Sequence, residues 1–204
     1  MERARAVSDD PERTVLLRAR ESYSRPARHF HWWTALLVAV MIPLGIAMNY
    51  RGNILNVWDA TTNNMYSTHK LIGFGVLLLV IARLVYRFTR GAPADESTLE
   101  PWQKVVSHLT HWTIYGLLLA VPLLGWFGVQ LFPALDVFGL FSLPAVVGPD
   151  EAASMVVLGL HKLAAFTLAA LILMHIGAAL YHYVIRKDGV LNRMWTSLPR
   201  RDGN

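Results

Sequence analysis

Four stretches of this sequence are longer and more apolar than a soluble domain can use. A helix rises about 1.5 Å per residue and the hydrocarbon layer of a bilayer is about 30 Å thick, so about 20 mostly apolar residues cross it. Phe30 to Tyr50 contains no Asp, Glu, Lys or Arg, and His69 to Phe88 carries Lys70, Arg83 and Arg87. Leu109 to Leu135 has no formal charge, and Ala152 to Ile185 carries only Lys162. Their length and Leu, Ala and Val content exceed what a strand uses, so the sequence predicts an all-α integral membrane four-helix bundle. Only 16% of residues are charged, against about 25% in soluble domains.

The cations then set an orientation. Seven Arg precede the first span, Arg87, Arg90 and Lys104 lie at or beyond the end of the second, and Arg186, Lys187, Arg193, Arg200 and Arg201 follow the fourth; the opposite side holds only Arg51. Lys and Arg favour cytoplasmic loops, so both termini are expected in the cytoplasm of a bacterial inner-membrane protein. The expected division is a cytoplasmic tail at 1–29, a membrane domain at 30–186 and a cytoplasmic tail at 187–204. In a soluble chain the net charge of +5 would suggest nucleic acid; here it reads as topology, and the expected surroundings are lipid, with no nucleic-acid partner. The first apolar run lacks a small-residue cleavage pattern, so it reads as a retained span. Residues 132–147, broken by Pro133, Gly139 and Pro144, read as a cap in the outer interface.

With no Cys, disulfides, thiolate-bound zinc, iron–sulfur clusters and covalently attached haem are excluded. Chemistry falls to histidine. His31, His69, His108, His111, His161, His175 and His182 all lie within or beside the spans, where an ionisable residue is a functional hypothesis by default. His161 and His175 are 14 residues apart, which returns them to within about 40° of one helix face, about 21 Å apart along the axis. A haem iron takes two axial ligands from opposite faces of one ring, so each needs a partner at matching depth. His69 opens the second span beside His161 at the outer side. At the inner side His31 opens the first span, and depth leaves His175 and His182 as competing partners. Arg83, 14 residues after His69, is placed to meet an inner haem propionate. Lys70 and Lys162 each follow an outer histidine and serve outer propionates or snorkel to headgroups.

Plainer readings stand beside these. Intramembrane histidines also serve as hydrogen-bonding links between helices, small residues as packing sites, Pro43 and Pro122 as kinks, and Trp32, Trp33, Trp112 and Trp195 as an interfacial belt. His108 and His111 read equally as contacts to a propionate or quinone and as interfacial packing.

The order and spacing of these residues resemble the bacterial cytochrome b561 family of di-haem b cytochromes. The matching stretches are His31-Trp32, Tyr50-Arg51-Gly52, and His69-Lys70 with Gly73 and Arg83. They continue with His108 and His111 with Tyr115 and Pro122, Phe138-Gly139 with Pro144, His161, His175, and His182 with Lys187-Asp188, Leu191 and Arg193-Met194. Coverage runs from about residue 27 to residue 196. The resemblance implies two b-type haems, the inner held by His31 and His175 and the outer by His69 and His161, with His182 left a supporting or quinone role. It also implies exchange with ubiquinone or ubiquinol, and some relatives oxidise superoxide at the outer face. A periplasmic redox protein is the other expected outer partner. Two stacked haems form a wire for single electrons, and two histidines per iron leave no open position for oxygen chemistry. Arg51, Lys70 and Lys162 are expected to cluster near the outer haem and to focus an anion such as superoxide, against the opposing Asp59, Asp136, Asp150 and Glu151. Two rival readings remain: a cytochrome b subunit relaying electrons for a partner dehydrogenase or hydrogenase, and a haem-free four-helix scaffold or transporter.

Overall fold

The computed structural model describes residues 22–195. The expectations placed on 1–21 and 196–204, including most of the Arg-rich tail and Arg200 and Arg201, lie outside the described residues. Four long helices follow in order: α1 Arg25–Asn49, α2 Ala60–Arg90, α3 Pro101–Leu131 and α4 Glu151–Tyr181. All four are long and apolar enough to cross a membrane. α1, α2 and α3 start several residues before the apolar runs that announce them and α4 one residue before, because the first turns are capped. Ser24 accepts from Ala27 N–H, Asp59 from Thr62 N–H, and Asp150 from Ala153 N–H, each satisfying a backbone donor that a helix start leaves open. Glu100 and Gln103 close a capping box before α3.

α1 and α4 both loosen into single π-turns, Tyr50–Ile54 and His182–Arg186, which the apolar pattern does not announce. The cap between α3 and α4 is folded. Asp136–Val137 pairs antiparallel with Phe141–Ser142, and Leu140 N–H bonds Val137 O across a turn whose central residues, Phe138 and Gly139, both have positive φ. Buried Gln130 of α3 accepts from Val146 and Val147 N–H, and Ser67 of α2 accepts from Phe138 N–H, so the cap is stitched to two helices.

α3 packs along α4, α1 along α2, and α2 along α3, whereas α4 meets α1 and α2 only sparsely. A gap is therefore left where rings project across. The compact apolar contact is confined to mid-depth: Val38, Val76, Val80, Leu118 and Leu168. Val38 lies seven residues after His31, Val76 seven after His69, Leu118 seven after His111, and Leu168 midway between His161 and His175. Two helical turns separate this layer from histidines on each side, which is why it falls between them.

Two histidine layers across the bundle

Toward the end of the bundle that carries the cap, the expected outer end, His69 of α2 faces His161 of α4, with ring centroids 6.1 Å apart and planes at 86°. Toward the opposite end His31 of α1 faces His175 of α4, with centroids 6.3 Å apart. A metal–imidazole bond of about 2 Å on each side, with about 1.1 Å from nitrogen to ring centre, puts two axial imidazoles about 6.2 Å apart between centroids. Both pairs have that spacing. Among the described residues no three His, Cys, Asp or Glu side chains converge as they would around a bare ion, so two-ligand sites suit a metal whose other positions are filled by a macrocycle.

The outer pair opens into a cavity of ≈ 1030 Å³ lined by all four helices and the cap, at the upper end of the roughly 300–1,000 Å³ of small-molecule sites. Two glycines let its rings lie flat against neighbouring helices. A Cβ on Gly45 would fall 3.1 Å from His69 Cε1, and one on Gly125 would fall 3.1 Å from both Cε1 and Nδ1 of His161. His161 Nδ1–H donates to Val121 O at 2.8 Å, beside the break that Pro122 makes in the α3 hydrogen-bond ladder. That bond fixes the tautomer and leaves the Nε2 lone pair to a ligand. His69 Nδ1 is buried without a hydrogen-bond partner, a costly state for an imidazole nitrogen that a bound group would relieve.

At the inner pair Arg83 NH2 lies 3.1 Å from His31 Nδ1, and its guanidinium sits 4.9 Å over the Tyr115 ring. No carboxylate among the described residues pairs with it, although a cation inside an apolar bundle demands an anion. An acidic group on a macrocycle fits that need. His111 joins this layer, its ring 5.2 Å from His175 and its Nδ1–H bonded to Ser107 O at 2.7 Å. His108 does not; it is exposed and pairs with Asp95. His182 is tied to Asp188 at 2.6 Å, away from the pair that depth alone let it compete for.

The three outer cations have different surroundings. Arg51 is paired with Asp59 at 2.8 Å and with the Thr62 hydroxyl. Lys70 Nζ donates to the carbonyls of Ala134 and Asp136 and so holds the cap. Lys162 is exposed at the cavity wall. Outside the spans, Asp59 is held below the ordinary carboxylate pKa, chiefly by the Thr62 N–H and also by Arg51.

Sequence reasoning missed Val121, Gly125 and Ser107. The first and third act through backbone carbonyls, which leave no residue-type signal. A glycine opposite a histidine on another helix shows only once the helices are docked.

Comparison with known proteins gives this geometry its context. The family model described as prokaryotic cytochrome b561 matches residues 22–197. Cytochrome b561 homolog 1 of Escherichia coli K12 is 30% identical over 183 residues, covering 88% of this chain and 98% of the relative. Cytochrome b561 homolog 2 of the same organism is 28% identical over 175 residues, covering 85% and 91%. Cytochrome b562 of Cereibacter sphaeroides is 30% identical over 181 residues, covering 84% and 94%. The chain therefore belongs to the prokaryotic cytochrome b561 family, bacterial membrane cytochromes that transfer electrons through b-type haem.

Proposed function

We propose that this protein is a di-haem b cytochrome of the inner membrane, with both termini cytoplasmic and residues 30–186 as its haem-binding domain. It passes electrons between the ubiquinone pool and a one-electron partner at the outer face, with superoxide as the donor. The observation that carries this reading is the repeated histidine pair, at 6.1 and 6.3 Å on two levels of one bundle. In this assignment His69 and His161 ligate the outer haem, and His31 and His175 the inner one. When bound, the haems would supply two one-electron couples.

The chain's own residues do the rest. Val121 O holds the His161 ring in its ligating tautomer. The apolar layer of Val38, Val76, Leu118 and Leu168 keeps water from the space between the levels, so electrons cross where ions do not. Arg83 takes the charge of an inner propionate, its guanidinium oriented by Tyr115. At the outer face Lys162 supplies the exposed positive charge beside the cavity, while Lys70 adds its charge from a fixed position and Arg51 is largely balanced by Asp59.

The test is haem stoichiometry. Detergent-purified protein assayed as the pyridine haemochrome is expected to give about two b haems per chain. His69→Ala and His31→Ala should each leave about one, with the remaining component differing between them. Colourless protein, or one haem in wild type, would refute the reading.

A further inference from the structure

The cavity at the His69–His161 level is also lined by uncharged polar side chains that neither the histidine pairs nor the cap uses: Asn49 and Asn53 on one side, Asn63, Asn64 and Tyr66 on the other. Helix geometry places them just beyond the rings, toward the cap-bearing end. α1 lays Gly45 against His69, and Asn49 follows Gly45 by four residues, one turn further along the same face. On α2, Tyr66 precedes His69 by three residues and Asn63 by six, about 4.5 and 9 Å along the axis toward the same end.

Three contacts fix this cluster. Tyr66 Oη and Asn49 Oδ1 both accept from the Asn53 amide nitrogen, at 3.1 and 3.0 Å. The Tyr66 ring stacks on Trp58, with centroids 5.3 Å apart and planes at 29°. The π-turn Tyr50–Ile54 runs so close to both that a Cβ on Gly52 would fall 3.0 Å from Trp58 Cη2 and 3.1 Å from Tyr66 Oη. Single π-turns occur frequently at functional sites. With the Asn53 amino group committed, the remaining groups are donors: the Tyr66 hydroxyl hydrogen and the side-chain amide nitrogens of Asn49, Asn63 and Asn64. Among the described residues none of them meets an acceptor.

The charges lining the same cavity are Lys70, Lys162 and Asp136. Lys70 and Asp136 serve the cap, the first by donating to the Ala134 and Asp136 carbonyls, the second by accepting from Gly139 N–H. Arg51 lies outside the lining and is turned to Asp59. A carboxylate at this end of the cavity therefore meets neutral donors, and hydrogen bonds to an ionised acceptor are about twice as strong as those between neutral groups.

We propose that Tyr66 and Asn49 hold the propionate edge of the outer haem through neutral hydrogen-bond donors, with Asn53 and Gly52 as positioning residues. This deepens the outer-haem reading above and rests on it. A b-type haem carries both carboxylates on one edge of its ring, and the cluster offers that edge a donor from α1 and another from α2. The two levels then differ in kind. Arg83 answers an inner propionate with a cation, whereas the outer carboxylates keep their charge and leave Lys162 unneutralised at the cavity wall.

The experiment compares haemin with its dimethyl ester, which has the same ring and no carboxylate. Holoprotein carrying His31→Ala, which keeps the outer haem, is equilibrated in detergent with mixtures of the two, and the retained haem is extracted and its two forms counted by mass. The outer site should prefer haemin, and Tyr66→Phe and Asn49→Leu should each cut that preference by about tenfold or more, the effect of losing one hydrogen bond to a charged group. Asn53→Ala should cut it less. Ester uptake and the reduced spectrum should stay unchanged in all three, because ring and ligands are untouched. In the wild-type background the same count covers both levels and still reads the change in each variant, should His31→Ala not fold. No preference for haemin, or the same preference in Tyr66→Phe and Asn49→Leu, overturns the inference alone. So does weaker uptake of both forms alike, the mark of a loosened bundle, and so does a preference lost in Lys162→Gln but kept in Tyr66→Phe. Haem content that does not fall in His69→Ala overturns the outer-haem reading together with it.

Discussion

Replacing Gly125 with alanine adds one methyl group to the wall of the outer site, and the structure says how much that methyl should cost. The new Cβ would fall 3.1 Å from both Cε1 and Nδ1 of His161, so the ring must give by a few tenths of an ångström. It cannot do so freely, because Nδ1–H is bonded to Val121 O at 2.8 Å on the same helix that carries Gly125. Overpacking of this kind costs about 1–3 kcal/mol, and a tenfold change in binding corresponds to about 1.4 kcal/mol, so outer-haem affinity should fall by about 5- to 150-fold. Gly45→Ala meets His69 at the same 3.1 Å, but that ring has no hydrogen bond at Nδ1 and can tilt; its loss should sit at the low end, about fivefold. Gly177→Ala on α4 meets nothing within 4 Å and should leave affinity unchanged while raising helix stability by up to about 1 kcal/mol. The assay is titration of haem-free protein with haemin, read by the reduced spectrum of the outer component. Wild-type affinity in Gly125→Ala, or an equal loss in Gly177→Ala, would refute the argument.

Three further outcomes follow from the same geometry. Arg83→Leu should weaken or shift the inner haem alone, seen as a change in one of two midpoint potentials; two unchanged potentials would remove Arg83 from the inner site. Lys162→Gln should slow reduction of the haems by superoxide and flatten its ionic-strength dependence while leaving the cap intact, whereas Lys70→Gln should also speed amide exchange at Phe138 and the paired strand; a superoxide rate indifferent to both would end the steering argument. The Asp59 carboxyl is held below its ordinary pKa by Thr62 N–H, so its capping of α2 is fully present above the usual carboxylate range and is lost only as pH falls through the lowered value. Thr62 amide exchange should therefore be protected at neutral pH and accelerate in acid below that range, and Asp59→Asn should abolish this pH dependence.

Much of the molecule follows from the chain read in one dimension. Apolar length dictates four spans because a bilayer leaves backbone polar groups no partner except their own helix. The 14-residue interval between His161 and His175 dictates two levels, because helical rise and twist are properties of one helix alone. Histidine type, the lack of Cys and the placement of Arg83 make a bound macrocycle one reading of the chemistry before any helix is docked, beside the haem-free scaffold that the residues alone leave open.

Pairing is a different matter, since it depends on which helices approach and at what rotation. Depth left His175 and His182 open as partners of His31; the family resemblance implied His175, and in the folded chain the His175 ring lies 6.3 Å from that of His31 while His182 bonds Asp188. His108 and His111 sit one turn apart and look alike in sequence; the azimuth of α3 sends one to the inner layer and the other to Asp95. The outer cations likewise share a sign and a side, but the folded cap and the turn after α1 give Lys70 and Arg51 structural partners that no count of charges contains. Local periodicity comes from covalent geometry, which each residue carries with it. The rotation and contact of helices come from packing between distant segments, which exists only once they have met.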